Sequence, residues 1–216
     1  LLTACMVLSI ATAQVRTKTV LEKNWRFTRT DDARSAEVNF DDSRWQRVTI
    51  PHDWAIYGPF SIHHDKQEVA ITQDGQKEAM EHAGRTGGLP FVGVGWYRTT
   101  FQLPVSAQKQ RVILLFDGAM SNAHVYVNGN EVGYWPYGYN SFYFDVTKNI
   151  NRKGDNTLAV RLENKPESSR WYPGAGLYRH VHLITMDDVH LPLWSTQIMT
   201  PVVRKQNAKV VFRTQM

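Results

Sequence analysis

Short apolar-rich segments recur along this chain between turn signals, at a spacing of roughly ten residues, and that rhythm predicts an all-β protein. None of the segments sustains the apolar period of a helix. NWRF (24–27) comes first, followed by Trp45 to Ile50, which Pro51 closes. GWYRTTFQL (95–103) ends at Pro104. VILLFDG (112–118) is a continuous apolar run and predicts a strand buried on both faces. AHVYVNG (123–129) alternates and ends in Asn128-Gly129, a strong hairpin signal, after which EVGYW (131–135) returns. SFYFDVT (141–147) follows. From Asn156 to Glu163 the pattern puts Leu158, Val160 and Leu162 on one face, with Ala159, Arg161 and Glu163 on the other. YRHVHLITM (178–186) sets Arg179, Val181 and Leu183 opposite Tyr178, His180 and His182, which reads as a strand with an exposed histidine face. AKVVFRT (208–214) is the last strand-like segment.

Many short strands and no long helix predict a β-sandwich, and a jelly roll is the natural size match. The polar stretch 61–93 interrupts the rhythm, and Gln73 to His82 within it is expected as a short helix. After Met186, Asp187-Asp188 and Pro192 mark a boundary, with a further β domain starting near Val189.

Composition changes this picture in two ways. Trp 7, Tyr 9 and Phe 9 make 12% of the chain, and such rings either fill sandwich cores or stack on the apolar faces of sugars. Trp45, Trp96, Tyr97 and Phe101 lie within strand patterns and are assigned to the core. The formal charge of +5 is spread over scattered basic residues with no nucleic-acid motif, so no nucleic-acid partner is expected. The opening LLTACMVLSIATAQ is apolar, uncharged and ends in Ala11-Thr12-Ala13, which reads as residues 1–13 of a truncated secretory signal. Secretion or a periplasmic location follows. The alternative is an outer-membrane lipoprotein anchored through Cys5, the sole cysteine.

Several motifs occur in a fixed order: NFDDSRWQRVTIPHDWAIYGPF (39–60), GVGWYRTTFQLP (93–104), FDGAMSNAHVYVNGNEVG (116–133), GYNSFYFDVT (138–147), DNTLAVRLEN (155–164) and SRWYPGAGLYRHVHL (169–183). Together they closely resemble the N-terminal sugar-binding domain of glycoside hydrolase family 2, of the gut-bacterial β-galactosidase type. The resemblance implies that 14–187 is a sugar-binding jelly roll of the galactose-binding-like class. It implies equally that 188–216 begins an immunoglobulin-like β-sandwich. A (β/α)₈ barrel would follow downstream and partner the domain, carrying the two carboxylates of a retaining reaction about 5–5.5 Å apart. This chain then holds no catalytic residue. Its partners are a β-galactoside and its own downstream domains, and a homo-oligomer is left open. β-Glucuronidase, β-mannosidase and a stand-alone carbohydrate-binding module are the alternatives.

Four residues are candidates for contact with sugar. In relatives the loop before Gly176 to Arg179 reaches the bound sugar, and an aspartate found there in several of them falls on Arg170 here. Arg170 can donate to hydroxyls and Trp171 can stack on a pyranose; the other reading pairs Arg170 with a carboxylate at the domain interface and packs Trp171 there. Asp53 either accepts from sugar hydroxyls or caps a loop. Arg85, in the glycine-rich GRTGG (84–88), either approaches a ligand or is solvated. His63-His64-Asp65 and the His180/His182 pair lack the ligand count and spacing of a zinc site, so neither metal nor cofactor is expected.

Overall fold

The computed structural model describes residues 16–61, 63–64, 66–69, 80–83, 91–166 and 174–215. A four-stranded sheet runs in the order β1 (Thr17–Val20), β12 (Val181–Met186), β7 (Arg111–Phe116), β10 (Phe142–Asp145). A six-stranded sheet runs β3 (Gln46–Val48), β2 (Trp25–Thr28), β6 (Gly93–Phe101), β11 (Asn156–Asn164), β8 (Ala123–Val127), β9 (Asn130–Trp135). The pairings in both are antiparallel, and the two sheets close face to face as a jelly-roll sandwich.

One face of each sheet meets in a common core. Trp25, Phe27, Tyr97, Val125, Leu158, Val160 and Leu162 come from the six-stranded sheet, and Val112, Leu114, Phe116, Phe142, Val181 and Leu183 from the other. The alternation expected in 156–163 is therefore real: Leu158, Val160 and Leu162 point inward while Ala159 joins a separate outer cluster. β7 is buried on both faces, as its unbroken apolar run requires. Ile113 and Leu115 pack outward with Ile184 and Met186, under Tyr143 and Leu193.

That outer cluster corrects the reading of His182. The residue is 5% exposed, not solvent-facing, and its Nε2 lies 2.7 Å from Asp117 Oδ2. β12 is flanked by β1 and β7 and covered on its outer side, so its His/Val alternation did not mark a wet face. His180 precedes the strand and is exposed. A second correction concerns Gln73–His82. Residues 70–79 lie outside the described residues, but Met80–Ala83 is a strand, β5, paired antiparallel with β4 (Lys66–Val69). A neighbouring strand satisfies the backbone groups there, and no apolar helical stripe existed to compete.

The Asn128-Gly129 turn forms as expected, with φ of 52° and 81° between β8 and β9. Asn128 also donates to Asn149 O and Asn156 Oδ1, both at 2.8 Å, which ties the hairpin to β11. Beyond the sandwich, β13 (Thr196–Val203) and β14 (Ala208–Thr214) form a hairpin whose Ile198 and Phe212 are exposed.

A strap, residues 31–45, crosses the outer face of the six-stranded sheet. Asp31 accepts from Trp96 Nε1 at 3.0 Å and grips Arg161 through Nε at 2.9 Å and Nη2 at 2.8 Å. Those hydrogen bonds from Arg161 hold its carboxyl below the usual carboxylate range. Further along, Arg98 Nε meets Asp42 Oδ2 at 2.9 Å, and its Nη1 donates to the carbonyls of Ser35 at 2.5 Å and Glu37 at 3.0 Å. Trp96, Ala159 and Ala36 pack beneath, with half-buried Trp45 and Tyr126.

Candidate functional site

At one end of the sandwich, a segment after β3 and the segment before β12 run side by side. His52 N donates to Leu177 O and Trp54 N to Ala175 O, each at 2.8 Å. Asp53 sits between them: its Oδ1 accepts from Ala55 N at 2.9 Å and from Ala175 N at 3.0 Å. The carboxylate therefore clamps the two segments together, which is the capping role. Asn164 Nδ2 holds Gly174 O at 2.8 Å, and Gly176 exchanges two hydrogen bonds of 3.0 Å with Met120.

Gly176 is required at the crossing. Its φ is +129°, and a β-carbon would meet the His52 carbonyl and the Tyr97 hydroxyl. Arg170, Trp171 and Arg85 lie outside the described residues. Of the sequence candidates, the structure thus places Asp53 alone.

Sequence reasoning missed the group beneath this clamp. His52 Nδ1 shares a 2.7 Å hydrogen bond with the hydroxyl of buried Tyr97. Its ring packs on Phe27 at 4.9 Å and stacks with Tyr57 at 5.8 Å. Arg29 donates to Trp54 O at 3.1 Å and lies 5.0 Å from the Phe91 ring. The only signal was the His-Asp-Trp run itself, since Tyr97 and Arg29 are distant in the chain.

Burial, helped by the Arg29 charge, pushes the His52 imidazole down to about 4. The folded state therefore resists protonation that the unfolded chain accepts at its ordinary value of 6.5. Stability is full above that value and falls as pH drops through the window from 6.5 to about 4. Between pH 7 and pH 5 the expected loss is about 2 kcal/mol. Urea unfolding of wild type and His52→Asn at both pH values checks this, and the variant should lose less by that amount.

The two sheets and the segments clamped at one end define an antiparallel β-sandwich domain. The sequence pattern described as "Glycosyl hydrolases family 2, sugar binding domain" matches residues 19–187. The chain belongs to that family. It is 35% identical over 208 residues to a β-galactosidase of Bacteroides ovatus, covering 95% of this chain and 22% of that protein. A solved family 2 member from Bacteroides cellulosilyticus superposes with a TM-score of 0.75 at 32% identity, covering 89% of this chain and 24% of the other. The β-glucuronidase of Bacteroides uniformis also gives 0.75, at 25% identity over 93% and 22%. The chain spans about a fifth of the length of the curated relatives it matches.

Proposed function

We propose that this chain is the N-terminal domain of a secreted, retaining glycosidase acting on β-galactosides. Residues 14–187 form its sugar-binding unit and 188–216 begin an immunoglobulin-like domain. The domain contributes sugar contacts while a downstream barrel supplies both carboxylates. The observation that carries this reading is the family match over 19–187 in a chain covering about a fifth of relatives that include a β-galactosidase. Arg170 and Trp171 are the contacts we favour, as the family resemblance implies, and they precede by a few residues the Ala175 that Asp53 holds. Arg85 is a lesser candidate, and Asp53 acts through the loop it holds. Residues 1–13 serve as the export signal. A β-glucuronidase is the second reading, favoured by the likeness to the enzyme of Bacteroides uniformis.

Arg170→Ala and Trp171→Ala in the full-length enzyme should each lower kcat/KM about 5- to 150-fold, the equivalent of about 1–3 kcal/mol. Melting temperature should hardly change, because neither side chain would be core. If the residues only pack against the barrel, the pattern reverses, with lower melting temperature and intact kinetics per folded molecule. Aryl β-galactoside, β-glucuronide and β-mannoside assayed side by side separate the substrate readings, and the galactoside should be turned over fastest.

A further inference from the structure

The outer face of the six-stranded sheet carries a row of arginines that folding alone does not explain. Arg47 on β3 pairs with Arg26 on β2, and Arg26 pairs with Arg98 on β6, so all leave the sheet on one face, side by side. Cross-strand partners stand with Cβ atoms about 4.5–5.5 Å apart, and like charges there destabilise a sheet. Arg98 is compensated by Asp42 and the strap carbonyls. Its neighbours are not. Among the described residues, Arg26 donates only to Trp45 O, at 3.5 Å, and neither Arg47 nor nearby Lys23 has a carboxylate partner.

These side chains line a groove of about 610 Å³, whose wall adds Asn24 and the cross-strand pair Thr100 and Thr157. That volume suits a small ligand. The groove shares no residue with the clamp around Asp53. We propose that it binds an anionic saccharide, a sugar ring bearing a carboxylate or a sulfate, with Arg26 and Arg47 gripping the charged group. A guanidinium fork matches such oxyanions and is weakly hydrated. A ring beside that charged group would find further partners in the groove wall, where Asn24, Thr100 and Thr157 offer amide and hydroxyl groups to its hydroxyls.

The test is calorimetric titration of the chain with galactose 6-sulfate, galacturonate, galactose and inorganic sulfate, with Arg47→Gln and Arg26→Gln beside wild type. At least one charged sugar should bind, about tenfold or more tighter than galactose or sulfate, and weaken as salt rises. Each variant should weaken that binding about tenfold. Ligand-free Arg47→Gln should melt no lower than wild type, because it relieves like-charge crowding. A purely structural arginine cannot produce that pair of results. The proposal is overturned if neither charged sugar binds, if galactose or sulfate binds as tightly, or if the variants keep wild-type affinity. Lost affinity together with lost stability in Arg47→Gln would also overturn it, by making the residue structural.

Discussion

Arg98→Ala should cost about 3–5 kcal/mol of folding stability, read as a lower urea midpoint. The guanidinium is almost fully buried, its side chain 4% exposed, and it joins Asp42 to the strap carbonyls of Ser35 and Glu37. Removing it strands those acceptors in a partly dry interface and leaves the Asp42 charge without its partner. Arg98→Lys keeps the charge but loses the planar fork, so it should recover only part of the loss. The contrast is Arg34 with Asp32, where the arginine side chain is 73% exposed and deletion should leave the midpoint unchanged within error. Detachment of the strap would also uncover Trp96, so the Arg98→Ala variant should show a shifted tryptophan emission before global unfolding.

Gly176→Ala should cost a comparable amount, about 3–5 kcal/mol, from two sources that add at one site. The backbone conformation at φ +129° is strained for any residue with a β-carbon, and that carbon has no room against His52 and Tyr97. Relief requires the loop to move away from the 52–54 segment, breaking the His52 N to Leu177 O and Trp54 N to Ala175 O bonds. The same movement would shift Gly174 and Ala175, which closely follow Arg170 and Trp171 in the chain. In the full-length enzyme, kcat/KM per folded molecule should therefore fall as well, which a simple core defect far from the loop would not cause. Thermal unfolding and steady-state kinetics on one preparation measure both.

Much of the sandwich was legible because its strands carry their own face labels. The unbroken run in β7 announced a strand covered on both sides, and Asn128-Gly129 announced its turn through a shared tolerance of positive φ. β1 gave nothing to read, since Thr17–Val20 is exposed throughout and owes its strand to pairing with β12. His182 misled because alternation reports which side chains share a face, not whether that face is wet. Arg98 looked like any strand arginine, and its burial depends on the strap, which no local pattern encodes. The candidate site was legible in part. The His-Asp-Trp run placed Asp53 at a strand end, but the partner that defines its role, Ala175, lies far along the chain. The His52–Tyr97 bond joins separate elements in the same way.

The central claim is that this domain recognises sugar while the catalytic carboxylates lie elsewhere. It is tested most directly by assaying an aryl β-galactoside with the 216-residue chain and with the full-length protein. Turnover is expected from the full-length protein and none from the chain above a blank preparation. Turnover by the chain that disappears on replacing one of its own aspartates or glutamates would contradict it.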